Sequence, residues 1–313
     1  MNKRAQVLVV SLWILVALAI LAVSIGHRVS LALRLSRYQR DKLAAVCLAR
    51  SAVALAITEL EKDSNDYDAL NEPWAKDISG VTDEAGKINI NTAPPELLAG
   101  LLRSCGVDES AANEISSAIL AWRGSRPIDE ETGLYYKNNL GYPCKSGPFA
   151  VVEELILVKG LKDIGPEKLA KLKTLTSVSG STGKININTA MPEVLGLLGS
   201  TAADELNKAP GNKINGNDVS ELADAITASR REEGVYFTET ELDAESIRQK
   251  LGLGDAAGDN RTRMISWLIS AQLLTAGSDN FRIESGANAG GVSAKIAAVY
   301  DRENKRITFW HEY

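Results

Sequence analysis

Histidine and cysteine are scarce in this sequence. Two histidines, His27 and His311, and three cysteines, Cys47, Cys105 and Cys144, are spread over 313 residues. No pair of them has zinc-finger spacing, so a structural zinc site has no ligand set. The sequence also lacks G-x-S-x-G, a phosphate-binding G-x-x-x-x-G-K-[ST] and H-E-x-x-H. Hydrolase and metalloprotease chemistry are therefore without their usual marks. An excess of positive charge is missing too. Residues 1–42 carry Lys3, Arg4, Arg28, Arg34, Arg37, Arg40 and Lys42 against Asp41 alone, so that segment is +6 and the rest is −11 of a total of −5. An acidic body is a poor electrostatic match for a nucleic-acid backbone.

What is present is ordinary in bulk and patterned in detail. Apolar residues make up 45% and charged residues 24%, enough for two or three compact units with real cores. Residues 5–26 contain no charge. About 20 apolar residues span a bilayer as a helix. A cleaved secretory signal has a shorter apolar core that ends in small residues and a break. Here Leu31, Leu33, Leu35, Leu43, Val46, Val53, Ile57 and Leu60 continue near helical spacing, with no proline or glycine between His27 and Asp63. The pattern predicts one helix from about residue 5 to about residue 62, its first third in lipid. Basic residues on both sides of the apolar run leave its orientation open.

Gly86-Lys87-Ile88-Asn89-Ile90-Asn91-Thr92-Ala93 recurs unchanged as Gly183-Lys184-Ile185-Asn186-Ile187-Asn188-Thr189-Ala190. Both copies run on into Pro-Glu and a leucine-rich stretch, Pro95-Glu96-Leu97-Leu98 and Pro192-Glu193-Val194-Leu195. Such self-similarity reads as a duplicated module. Within each copy, Lys-Ile-Asn-Ile alternates like a half-buried strand. Thr92 and Thr189 are candidate N-caps, proline suits the first helical turn, and glutamate suits the positive helix end. Each copy then has a second helical stretch, 111–122 and 219–230, and a glycine-aromatic turn into acids, at Gly147-Pro148-Phe149 and at Gly234-Val235-Tyr236-Phe237. Residues 124–146 read as a long loop of the first copy and 202–216 as an insertion in the second.

Residues 280–285, 295–300 and 306–313 read as C-terminal strands, with a polar turn at 301–305. Strands at about 77–82 and 174–179 would complete a hairpin before each repeat. The fold class expected is α+β: a long N-terminal helix packed on an antiparallel sheet, with helical modules inserted between its strands.

The basic leader, the apolar helix running into a stalk, the paired G-K-I-N-I-N-T-A motif, Gly147-Pro148-Phe149 before Glu153-Glu154-Leu155, and the turn at Val158-Lys159-Gly160-Leu161 together resemble the minor pseudopilin K family (GspK, general secretion pathway protein K) of type II secretion systems. The resemblance covers nearly the whole chain. It implies a pseudopilin-like fold with inserted SAM-like or helix-hairpin-helix subdomains. The segments are then 1–26 leader and transmembrane helix, 27–62 periplasmic stalk helix, 73–92 first hairpin, 93–173 first helical subdomain, 174–190 second hairpin, 191–278 second helical subdomain and 279–313 C-terminal strands.

It also implies a non-enzymatic role at the tip of a periplasmic pseudopilus, with I- and J-type minor pseudopilins and the major pseudopilin as partners. The body would lie in the periplasm, anchored in the inner membrane, in reach of secreted proteins. A prepilin peptidase would cut between Ala5 and Gln6, where the family usually has glycine in place of Ala5. Val10 would become the fifth mature residue, a position that holds glutamate in most pilin-like chains. A tip subunit has no neighbour ahead whose amine could pair with that glutamate, and an unpaired carboxylate in lipid only costs energy. The alternative for Val10 is a plain lipid-facing residue.

Some members of the family bind calcium, and Asp129, Glu130 and Glu131 are the candidates here, with a solvated acidic turn as the alternative. In a periplasmic body Cys105 and Cys144 are candidates for a disulfide closing a loop of about 40 residues, with two separate thiols as the alternative. Cys47 reads as a packed small residue of the stalk. A second resemblance is to membrane-anchored helix-hairpin-helix DNA receptors of competence, through Asn-Thr-Ala followed by helices, Val158-Lys159-Gly160 and Ile164-Gly165-Pro166, with Lys159, Lys162, Lys168, Lys171 and Lys173 as the basic residues nearby. Against it, residues 93–175 hold 10 basic and 11 acidic residues, so nucleic acid is not the expected partner.

Overall fold

A computed structural model describes residues 3–211, 213–234, 236–254 and 258–313, with side chains left out at 3–6, 140, 232 and 233. In chain order the elements are α1 (Lys3–Lys62), α2 (Pro73–Lys76), β1 (Val81–Asp83), β2 (Ile88–Asn89), α3 (Pro95–Ser104), α4 (Glu109–Trp122), α5 (Glu130–Tyr135), α6 (Pro166–Leu175), β3 (Thr176–Ser177), β4 (Ile185–Asn186), α7 (Pro192–Leu206), α8 (Gly216–Ala228), α9 (Ala244–Lys250), α10 (Asn260–Ser270), β5 (Leu274–Thr275), β6 (Asn280–Ala289), β7 (Val292–Asp301) and β8 (Arg306–Glu312). The fold class is α+β, as the sequence predicts: a long N-terminal helix packs on a four-stranded antiparallel sheet of order β1-β6-β7-β8.

Two compact units divide the chain. The first holds residues 1–55, 284–297 and 310–313. Within it α1 buries Ala45, Ala49 and Val53, a stripe at helical spacing whose small side chains let a sheet approach closely. The Ser285 hydroxyl donates to the Ala49 carbonyl at 3.0 Å.

The second unit holds residues 56–283 and 298–309, with both helical modules. Its core runs from Leu97, Leu98, Leu101 and Leu102 through Ile119 and Trp122 to Leu195, Leu198, Phe237, Met264 and Leu268. Each such side chain contributes roughly 1.5–3 kcal/mol on burial. α3 lies against α7: a Cβ on Gly100 would come 3.0 Å from the Leu197 side chain.

The expected hairpins around 73–92 and 174–190 do not form. β2 pairs in parallel with β3, Ile88 opposite Thr176, and β4 pairs in parallel with β5, Ile185 opposite Leu274. β1 instead joins the main sheet, antiparallel to β6. The reason is the length of what lies between. Each Lys-Ile-Asn-Ile strand opens a helical module, and the chain returns beside it only after a helical crossover, which delivers a parallel strand.

The duplication is visible in matched bonds. The amides of Ile90 and Ile187 donate to Ser177 and Thr275 carbonyls, each at 2.9 Å. The expected threonine caps are also corrected. The caps are Pro94 and Met191, with Pro95 and Pro192 in the first turn. Thr92 donates to the Thr182 carbonyl and Thr189 to the Asp83 carboxylate. Two further segments differ from expectation. Residues 130–140 of the expected loop are helical, as α5 and one π-turn, and α7 extends to Leu206.

Candidate functional site

The first candidate surface is the outer end of α1. Among the described residues α1 is the one helix long and apolar enough to cross a membrane. From Val7 to Ile25 every large apolar side chain is exposed, Val10 at 58% among them. A helix apolar all round with no protein over it has the character of a lipid-facing segment. Ala5 and Gln6 are described by helical backbone alone, and their side chains lie outside the described residues.

The second is a ring of polar groups that the sequence reading missed. Asp63, Asp68 and Glu72 bring carboxylate oxygens within 4.8 Å of one another. The Arg302 guanidinium already lies between two of them. Its Nη1 and Nη2 donate to the two Asp68 oxygens at 2.9 and 2.7 Å, and Nη1 also donates to Asp63 at 3.2 Å. The Ser278 amide donates to Asp68 at 2.6 Å. Glu72 accepts from the Ala69 amide, the Trp74 indole and Asn65. Every carboxylate here has a donor, so the ring is an ion-pair hub that ties the turn after α1 to the turn after β7.

Burial pushes the Asp68 carboxyl up to about 7, against the pull of Arg302 and the Ser278 amide. Burial works against Arg302's charge, but Asp68 and Asp63 hold its pKa above the ordinary value. Nearby, Asp83 is raised by burial although it accepts from Asn186, Thr189 and Ala85. Glu84 is equally buried, yet Lys87 and Arg282 hold it below the usual range. The acid run at 63–68 was the sequence signal for this hub, but nothing there pointed to an arginine 234 residues away.

A pair of asparagines repeats the same device in each module. Asn91 donates to the Phe149 and Val178 carbonyls and accepts from the Phe149 amide. Asn188 does the same with Phe237 and Ala276. An amide side chain offers a carbonyl and an NH₂ together, so one residue satisfies a turn and a strand end at once.

The residues singled out by sequence fare differently. Asp129 caps α5, accepting from the Thr132 amide. Glu131 reaches Lys159 at 3.7 Å from a 91% exposed position. Asp129, Glu130 and Glu131 are not among the described acids whose oxygens converge. Adjacent acids on a first helical turn splay around it, and these three carboxylates do not converge on one point. Asp129 and Glu131 instead line an open groove of about 900 Å³ with α4, Lys159 and Asp163.

All three cysteines are free, so the bridge expected between Cys105 and Cys144 is not formed in this structure. Cys105 sits at the end of α3, where burial raises its thiol, and Cys144 lies beside Tyr136. The lysines that suggested DNA are partly engaged: Lys168 donates to the Gly106 carbonyl and Lys171 to that of Ser104. Both remain exposed while they close the carbonyl end of α3.

No family model matches the sequence, and no curated protein matches it. The fold has a solved counterpart. A chain in the crystal structure of the GspK-GspI-GspJ complex from the enterotoxigenic Escherichia coli type 2 secretion system superimposes with a TM-score of 0.61 at 16% sequence identity, covering 89% of this chain and 99% of that one. At that identity the likeness is one of fold: a pseudopilin-like helix and sheet with added helical regions.

Proposed function

We propose that this chain is a membrane-anchored minor pseudopilin of the K kind. It takes part in type II secretion, at the tip of a periplasmic pseudopilus, and carries no enzymatic activity. The single observation that supports this best is the continuity of α1. One helix begins exposed and apolar and ends packed on a sheet, which is the arrangement a subunit needs if its body is to be held by a lipid-embedded rod. The two helical modules and the solved fold counterpart support the K kind over a plain pilin-like chain. The solved counterpart was crystallised in a complex with GspI and GspJ, so I- and J-type minor pseudopilins are the proposed partners, with the major pseudopilin below them.

The proposed maturation step is cleavage between Ala5 and Gln6 by a prepilin peptidase, which leaves Val10 in the fifth mature position. N-terminal sequencing of the membrane form tests it, with Gln6 as the expected first residue. The functional reading is tested by purifying the full-length chain from detergent-solubilised membranes with the I- and J-type minor pseudopilins of the same cell. A stable complex with at least one of them is expected. If neither associates at micromolar concentration, the reading is wrong.

A further inference from the structure

The four-stranded sheet stops at β8, and that edge is open. The backbones of Tyr313 and Lys295 exchange two hydrogen bonds, at 2.9 and 3.4 Å. Bonding alternates along an antiparallel pair, so Ile307, Phe309 and His311 also turn their backbone groups toward β7, while Thr308, Trp310 and Glu312 turn theirs away from the sheet. No described strand lies on that side. Proteins usually blunt such an edge by shortness, proline, a bulge or a projecting charge. β8 has seven residues and no proline, whereas the opposite edge, β1, has three. Two charges of β8 are already paired on their own chain: Glu312 with Arg50 at 2.7 Å and Arg306 with Asp301 at 3.3 Å. Ile307 and Trp310 are left exposed at 44% and 39%.

A second copy of this chain does not fit the edge. Two identical strands paired antiparallel are related by a two-fold axis normal to the sheet. That axis reverses every direction in the sheet plane, including that of α1, and the two apolar helix ends would point opposite ways. They could not enter one bilayer. The charge of the surroundings indicates what does fit. Lys295 and Lys305 are exposed at opposite ends of β8, so carboxylates are favoured at both ends of the incoming segment.

We propose that β8 accepts an extended strand from an unlike, membrane-anchored partner chain, apolar at alternate positions and acidic at its ends, which lengthens the sheet by β-augmentation. This rests on the anchored-pseudopilin reading. The outward N–H groups make the test selective. Proline at 308 removes one outward donor and no backbone bond to β7; the Thr308 hydroxyl's bond to the Val299 carbonyl at 3.3 Å is lost equally in Thr308→Val, and proline is tolerated where the N–H faces solvent on an edge strand.

The experiment measures binding of purified I- and J-type minor pseudopilins to the full-length chain in detergent. The chains compared are wild type, Thr308→Pro and Thr308→Val, the last keeping the N–H and losing only the hydroxyl. Thr308→Pro is expected to weaken one partner about tenfold, the loss of about one hydrogen bond, with thermal unfolding like that of Thr308→Val, which lacks the same hydroxyl bond to Val299, and Thr308→Val to bind like wild type. A photo-crosslinking phenylalanine analogue at Trp310 is expected to trap the same partner, and this arm carries the test should Thr308→Pro fail to fold. Undiminished binding by Thr308→Pro together with no crosslink overturns the proposal while the pseudopilin reading stands. Wild-type chain that binds neither partner overturns both. Self-association abolished by Thr308→Pro replaces the unlike partner with a second copy and overturns the proposal.

Discussion

At the scale of single residues, the polar groups behind the sheet decide how stability answers to pH. Asp68 has an ordinary value of 3.8 and a folded value of about 7, and Asp83 is shifted the same way. Between those values the folded chain keeps protons that the unfolded chain has lost, so stability falls as pH rises through that window. Groups of the opposite kind, Glu84, Glu239 and Asp259, are lowered. Their contribution is lost only as pH drops below the ordinary carboxylate range. Thermal unfolding scans are therefore expected to show a maximum near pH 5 and a decline toward pH 7.5, flatter in Asp83→Asn; a rise over that interval would contradict the shifts. Asn188 is fully buried with three partners. Asn188→Ala leaves those groups unpaired and is expected to cost about 2–4 kcal/mol by denaturant titration. Asn91→Ala is expected to cost less, because Asn91 is only partly buried.

At the scale of elements, what could be read from the sequence was whatever depended on local pattern. The 60-residue helix α1, the proline-started helices and the three C-terminal strands follow from spacing and turn chemistry. The partners of β2 and β4 did not, because two-residue strands carry no register signal and their mates lie a whole module away. The threonine caps were misread for a related reason. Thr189 donates to Asp83, 106 residues back, and both threonines stand two residues ahead of the caps, Pro94 and Met191, out of reach of the first free amides. For α1 the pattern permits a sharper prediction. Ala49 is fully buried against the sheet, so Ala49→Leu overpacks the contact and is expected to lower stability by about 1–3 kcal/mol. Leu48→Ala, on an exposed face, is expected to change it by less than about 0.5 kcal/mol. Equal effects in a denaturant titration would mean that α1 is not seated by this stripe.

At the scale of the whole molecule, the chain combines an apolar helix that no protein covers with a body whose network closes over long sequence distances, such as Asp68 to Arg302. On the proposed reading these two parts answer to different solvents, so they should fail separately. Leu15 sits in the middle of the exposed apolar stretch, where an arginine costs about 2.5–3.5 kcal/mol on insertion scales and touches none of the core. Leu15→Arg is expected to shift a large share of the protein from the membrane fraction to the alkali-extractable fraction. Thermal unfolding of its body in detergent should match that of wild type. Arg302→Met should do the reverse. It takes away the counter-charge of the buried Asp68, which must then take up a proton or stay uncompensated, a change that costs up to roughly 3–5 kcal/mol above pH 7, while membrane retention is untouched. If Leu15→Arg lowers the unfolding temperature as much as Arg302→Met does, then anchor and body are energetically one piece, and α1 is not a lipid rod bearing an independently stable head.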